Sequence, residues 1–203
     1  MTGKRPLLVG VLIILSAPAA EAVDFGFKAG VHWATLPGYT GPLGGLGSGS
    51  TRNLSGGPLV AFPLAGVLAL QPEALFVKKG TVLKAENPQL DLKTTLVFEY
   101  LEFPILARIA TNQPGPTSFY ALVGPSFGYM VRARERIESL GQESERELDT
   151  IARFEASLVV GGGIRVRWLL AECRYSQGLT TVDAEQRTDF KNRGIAVLVG
   201  FQL

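Results

Sequence analysis

The stretch Gly194-Ile195-Ala196-Val197-Leu198-Val199-Gly200-Phe201-Gln202-Leu203 decides the fold. Ile195, Val197, Val199, Phe201 and Leu203 fall on one side of an extended chain. Gly194, Ala196, Leu198, Gly200 and Gln202 fall on the other, which is mostly small. A period of two marks a strand whose faces meet different surroundings. The amino-terminal segment repeats the pattern, with Val23, Phe25, Phe27, Ala29, Val31 and Trp33 opposing Asp24, Gly26, Lys28, Gly30 and His32.

Between these two segments the alternation recurs. Leu68, Leu70, Ala74 and Phe76 oppose Gln71, Glu73 and Lys79. Leu101, Phe103, Ile105, Ala107 and Ile109 oppose Tyr100, Glu102, Pro104, Leu106 and Arg108. Phe119, Val123, Phe127, Tyr129 and Val131 oppose Tyr120, Leu122, Ser126, Gly128 and Arg132. Phe154, Leu158, Val160 and Val166 oppose Glu155, Ser157, Gly161 and Arg165, and Leu169, Cys173 and Tyr175 oppose Glu172, Arg174 and Ser176. A weaker strand over 57–62 completes eight. Segment 53–72 carries no charge, but Pro58, Pro63 and Gly66 interrupt it, so two strands meeting near Pro63-Leu64-Ala65-Gly66 fit better than a helix.

Long connections (34–56, 80–94, 134–150 and 180–191) alternate with short ones near 63–66, 110–118 and 167–168. Brief turns on one side and long loops on the other are the arrangement of outer-membrane barrels. In hydrocarbon every backbone N–H and C=O must pair within the protein, so a sheet spans only when closed. The expected fold is therefore all-β, an eight-stranded antiparallel up-and-down transmembrane β-barrel with apolar faces outward. Phe25, Trp33, Tyr129, Trp168 and Phe201 lie near strand ends, where aromatic girdles form. A soluble lipocalin-like carrier would turn the apolar faces inward, leaving Gly-rich and charged faces on the outside.

Residues 1–22 read as a secretory signal peptide. Lys4 and Arg5 precede an apolar run over 7–15, and Ala20-Glu21-Ala22 supplies the small residues of a cleavage site after Ala22. The apolar run is short for a membrane helix, which needs about 20 residues. Export and a barrel together place the chain in the bacterial outer membrane, in contact with outer-membrane lipid.

Composition removes several chemistries. The 203 residues contain one Cys and one His, excluding an internal disulfide and most His- or Cys-based metal sites. The 20 basic and 18 acidic residues leave a net charge of +2, which gives no basic surface for nucleic acid. Glu73 and Glu102 face a crowded lumen, Ser126 and Ser157 have no His–Asp partners in the pattern, and Cys173 lies on the lipid face. Gly161-Gly162-Gly163 lacks the Lys-Ser/Thr of a phosphate loop. No catalytic, cofactor-binding or metal-binding residue is expected, and no cofactor. His32, alone near a strand end, reads as a polar rim residue.

Lys28, Glu73, Glu102, Glu172 and Arg174 project inward at low or middle depth and are expected to form an ionic cluster in the barrel lumen, because an uncompensated ion there is costly. A proton or ion path is the sharper alternative. Residues 43–50 make the first long loop Gly/Ser-rich and mobile in expectation, while 134–147 is densely charged with mixed signs and reads as a solvated strand extension. Loops 34–56 and 134–150 are the candidate surfaces for a protein partner.

Blocks along the chain carry a family resemblance: Phe27-Lys28-Ala29-Gly30-Val31-His32-Trp33, Gln71-Pro72-Glu73-Ala74-Leu75-Phe76, Tyr100-Leu101-Glu102-Phe103-Pro104, Gly124-Pro125-Ser126-Phe127-Gly128-Tyr129 and Arg174-Tyr175-Ser176-Gln177-Gly178-Leu179. In order and spacing they resemble the PorT-family outer membrane β-barrel domain proteins, similar in architecture to the OmpX and OmpA barrels. The resemblance implies residence in the outer membrane and insertion by the barrel assembly machinery. It fixes no activity; some relatives are linked to protein secretion. Leu203 departs from the aromatic last residue that the assembly machinery often recognises, with Phe201 a partial substitute. The function expected is a non-enzymatic barrel acting through extracellular loops in surface interaction or envelope structure, with a narrow transport or secretion-accessory barrel as the alternative.

Overall fold

A computed structural model describes residues 23–35, 46–85, 92–111, 116–139, 142–147, 153–180 and 191–203. The proposed leader, 1–22, lies outside them, as do most of loops 34–45 and 181–190. Ten strands form one antiparallel sheet: β1 (Asp24–Thr35), β2 (Leu46–Ala65), β3 (Leu68–Pro72), β4 (Leu75–Ala85), β5 (Leu92–Ala110), β6 (Thr117–Ser139), β7 (Gln142–Glu147), β8 (Phe154–Val166), β9 (Leu169–Gly178) and β10 (Arg193–Gln202).

The ten make eight staves. β3 and β4 both pair with β2 and with β5, joined through Glu73 and Ala74, so they are one stave with a break after Pro72. β7 and β8 both pair with β6, at different heights. The ring closes between the first and last strands, from Gly26 opposite Gln202 to Thr35 opposite Arg193. Phe25 and Leu203 exchange backbone hydrogen bonds of 2.8 and 2.7 Å at its lower end. Closure removes the unpaired edge that hydrocarbon would not tolerate.

Two of the short turns fall where the sequence places them. Gly66 turns at φ 55°, and Arg167 is a non-glycine residue in the left-handed region at φ 56°. Outward faces carry the greasy residues: Phe25 is 62% exposed, Val199 60% and Phe119 60%. A lower aromatic girdle holds Phe25, Phe62, Phe119, Trp168 and Phe201, and an upper one Trp33, Phe76, Tyr129, Phe154 and Tyr175, all exposed.

The inner face is less polar than its small residues suggest. Leu106, Ala110, Tyr120, Leu122 and Val159 pack together inside, and Leu59, Phe98 and Leu198 are also buried. Eight strands enclose a bore that side chains can fill.

Above the upper girdle most of 134–147 is strand, as expected, and so are parts of the loops expected over 34–56 and 80–94. Residues 46–50 of β2 pair with 81–85 of β4, and β5 continues upward from Ala110 to Leu92. Arg134 to Ser139 of β6 pair with β5 on one side and with β7 on the other. Much of 34–56, 80–94 and 134–150 is thus strand, including the Gly/Ser-rich part of the first. Period-two reading misses these segments because neither face is apolar: outward residues such as Lys93 and Arg134 are charged, and inward ones such as Ser55, Thr81 and Thr94 are buried but polar. The result is a wall of β2, β4, β5, β6 and β7 standing on one side of the rim. Its six β6 residues beyond Ala133, at about 3.3 Å each, rise roughly 20 Å. Among the described residues, β8, β9, β10 and β1 stop well below that height.

One irregularity changes which residues face out. Glu99 pairs with Arg132 but Tyr100 pairs with Met130, so Val131 is an extra residue in β6. Such a bulge shifts the alternation by one. Val131 and Arg132 are both exposed, and Arg132, expected inside, lies outside. Arg134, Arg136 and Glu138 follow it onto the outer face, paired with Val97, Thr95 and Lys93.

Candidate functional site

The lumen holds two ionic clusters rather than one. In the lower cluster Lys28, from β1, donates to Glu73 Oε1 at 2.7 Å and to Glu172 Oε1 at 3.2 Å. Arg174, from β9, forks onto both oxygens of Glu73 at 2.8 and 2.6 Å and donates through Nε to Glu172. Gln71 Nε2 adds a bond to Glu73 at 2.6 Å, and the Tyr120 hydroxyl donates to Glu172 Oε2 at 3.2 Å. Lys28 and Glu73 have fully buried side chains. Two cations and two carboxylates close on each other with every acid oxygen engaged.

Glu102 is not among them. It belongs to an upper cluster, where Lys79 Nζ lies 2.6 Å from Glu102 Oε1 and 2.6 Å from Glu155 Oε1. Asn192 donates to the second oxygen of Glu155 at 2.7 Å, and the Lys79 ammonium sits 5.1 Å from the Tyr100 ring centre. Glu102 and Glu155 flank Gly128 on one rung of β5, β6 and β8. At the lumen floor, Arg108 bonds Gln71 and Gln202 at 3.2 and 2.8 Å and stacks 4.0 Å from the Tyr120 ring centre. Below it Arg165 pairs with Asp24 at 3.1 Å.

Glycines make room for these long side chains. A Cβ at Gly161 would come 2.9 Å from Arg174 Cγ, and one at Gly194 would come 2.0 Å from His32 Nε2. His32, expected at the rim, is 4% exposed and lies inside against Gly194, because its inward parity on β1 outweighs its place near the strand end.

Lys79, Glu155 and Arg108 were legible as inward-facing by alternation, but not as members of a cluster. Height in a tilted barrel depends on the stagger between strands, which alternation within one strand does not report. Asn192 lies just outside β10 and carried no signal.

Lys28, Lys79, Arg108 and Arg174 balance Glu73, Glu102, Glu155 and Glu172 in formal charge. Between the clusters remains a cavity of about 30 Å³ lined by His32, Ser55, Glu102, Arg174 and Ser176, room for about one water. Such a space is smaller than a hydrated ion. Glu73 and Glu102 are each neutralised in separate clusters, Ser126 and Ser157 are buried, and Cys173 is exposed on the outer face. Among the described residues no three His, Cys, Asp or Glu side chains converge on a metal-sized centre.

A closed eight-stave sheet with a greasy exterior and a salt-bridged interior defines an integral β-barrel membrane protein. The chain belongs to the outer membrane protein beta-barrel domain family, which it matches over residues 16–184. Among solved structures it is similar to Ail, the attachment invasion locus protein of Yersinia pestis, at 15% identity over 89% of this chain and 98% of that one, with a TM-score of 0.44. It is also similar to Neisserial surface protein A, at 13% identity over 89% and 99% with a TM-score of 0.41. The amino-terminal barrel domain of Pseudomonas aeruginosa OprF is a third, at 9% identity over 89% and 97% and a TM-score of 0.36. Curated proteins yielded no match.

Proposed function

We propose that this chain is a non-enzymatic outer-membrane protein, exported from a Gram-negative cell with cleavage after Ala22, whose barrel is a mount for the projecting wall. In this reading it belongs with the PorT-like barrels its sequence blocks resemble, and the wall acts in surface interaction or envelope structure. The observation that carries the reading is the asymmetry of the rim. β5 and β6 run 19 and 23 residues, far beyond the roughly 10 needed to cross hydrocarbon. The added length builds a paired sheet outside the membrane, and the outer edge of β7 is unpaired among the described residues. An exposed strand edge is a ready surface for another chain. The narrow transport alternative draws no support from a lumen filled by two ion clusters.

A photo-crosslinking residue at Ser144, on β7, tests the proposal in intact cells carrying the full chain. Discrete protein adducts from Ser144, absent from the same residue placed at Arg167 in a periplasmic turn, are expected. A chain that cross-links to no protein from Ser144 would remove the wall as a partner surface.

A further inference from the structure

We propose that the outward face at the base of the projecting wall binds the phosphate groups of an outer-leaflet glycolipid. The inference rests on the outward direction of the apolar band and not on the wall's role as a partner surface.

The site starts where the greasy band ends. On β2 the outward residue above Leu54, itself 72% exposed, is Arg52; on β4 the one above Phe76 is Lys78; on β5 the one above Leu101 is Glu99. On β6 the bulge at Val131 puts Arg132 in line with Glu99 and Lys78. The next outward rungs bring Arg134, Arg136 and Lys93. All of these side chains point the way the lipid-facing residues point, one step beyond hydrocarbon. That is headgroup height. Lys78 reaches back over its own apolar neighbour, its ammonium 5.8 Å from the Phe76 ring centre, in the manner of an interfacial lysine.

A groove of about 510 Å³ runs across this face. Five cations line it, Arg52, Lys78, Lys93, Arg134 and Arg136, against the carboxylates Glu99, Glu138 and Glu145. Within the groove the cations exceed the carboxylates by two. Elsewhere on the rim, among the described residues, the cations at this height are Arg153, Lys191 and Arg193, which line no such groove.

Four of the five cations are in ion pairs with the groove's own carboxylates, among them Lys78–Glu99 at 3.0 Å and Arg136–Glu145 at 3.7 Å. Lys93–Glu138 at 3.0 Å and Arg134–Glu145 at 3.2 Å join side chains that are 35–41% exposed. Pairs of that exposure contribute little to stability and exchange partners readily. Among the described residues no carboxylate lies within salt-bridge reach of Arg52. A phosphate offers guanidinium groups a bidentate, charge-assisted acceptor, stronger than a neutral bond. A glycolipid held by its acyl chains beside Leu54, Phe76 and Leu101 would present its phosphates to the groove without further loss of freedom. Soluble acidic polymers gain nothing from the apolar band below.

The test uses the full mature chain refolded in a non-ionic detergent without phosphate, titrated with bisphosphorylated lipid A, fully dephosphorylated lipid A or inorganic phosphate. Bound adducts are counted by native mass spectrometry. Bisphosphorylated lipid A should bind, and the dephosphorylated form should bind at least ~10-fold more weakly, the size of a lost charge-assisted hydrogen bond. An Arg52→Gln, Lys93→Gln, Arg134→Gln triple variant should lose ~10-fold or more, and an Arg153→Gln, Arg193→Gln variant should not. If the triple variant fails to fold, as judged by loss of the heat-dependent gel shift, the single Arg52→Gln and Arg134→Gln variants should each bind several-fold more weakly. Equal binding of the dephosphorylated lipid, equal loss in the Arg153/Arg193 control, single variants that bind like wild type, or inorganic phosphate that occupies the groove as tightly as lipid A would each overturn the assignment.

Discussion

Glu73→Gln is the sharpest probe of the lumen. Glu73 accepts from Lys28 at 2.7 Å, from Gln71 at 2.6 Å and from Arg174 at 2.8 and 2.6 Å, with its side chain fully buried. The substitution keeps the shape and removes the charge. Lys28 and Arg174 are then left with one carboxylate, Glu172, and the lower cluster carries a buried excess of one positive charge. Breaking a buried pair in this way costs about 3–5 kcal/mol. Lys28→Met should cost a similar amount, because it strands the opposite sign. The double variant restores neutrality, with Arg174 facing Glu172 alone, and should cost less than the sum by about 2–3 kcal/mol, at the upper end of coupling between contacting residues. Urea unfolding in detergent micelles, under conditions where folding and unfolding traces coincide, reads these differences as midpoint shifts at constant slope. If both single variants cost below about 1 kcal/mol, the figure for exposed pairs, the lumen is wet and the plug is not a plug. Additive costs in the double variant would refute the neutrality argument even if each single variant were severe.

Planar bilayers containing the purified chain should show no sustained discrete openings, and sustained openings would return the transport reading. Gly80→Ala should sharply reduce the fraction showing a heat-dependent gel shift, since Gly80 has φ 152° and a Cβ there would stand 1.9 Å from the Leu96 carbonyl oxygen. A Cβ on that backbone clashes with main chain, which cannot move aside without breaking the β4–β5 ladder. Cys173 faces outward at mid-strand, so a water-soluble maleimide should leave it unlabelled in membranes while a lipid-soluble maleimide labels it. Equal labelling by both reagents would contradict the outward lipid face.

The sequence is legible wherever a strand separates two unlike media. From Phe119 to Tyr129 the outward residues meet lipid and the inward ones meet the packed lumen, so alternation is strict and the faces can be read directly. Above Ala133 the residues of β6 are charged on the outer face and half-buried at most on the inner one, and the strand continues to Ser139 without a periodic signal. The Val131 bulge carries no glycine or proline to announce it, so Arg132 was assigned to the wrong side. The ionic site is legible in membership of a face but not in grouping. Glu73 and Glu102 both read as inward on neighbouring strands, yet the stagger of β4 against β5 puts Leu75, and not Glu73, opposite Glu102.

The two clusters also explain how a thin-walled barrel can carry an off-centre load. A greasy exterior gives no force to hold the cross-section in lipid, because the hydrocarbon outside is as apolar as the residues facing it. The closed hydrogen-bond ladder holds the ring, and cross-lumen contacts stiffen it. The lower cluster ties β1 to the β3–β4 junction and to β9, through Lys28, Glu73, Glu172 and Arg174. The upper cluster ties β4 and β5 to β8, through Lys79, Glu102 and Glu155. β4 and β5 are central strands of the wall, and β8 stands on the side of the ring where the described strands stop short. The strut therefore lies directly under the wall and ties its central staves, β4 and β5, to β8 on the far side of β6. Charges placed there serve better than leucines, since an ion pair broken by tilting the wall is penalised steeply, whereas apolar contacts slide at little cost. The interior is neutral and closed, and what this molecule presents to its surroundings lies above the upper girdle.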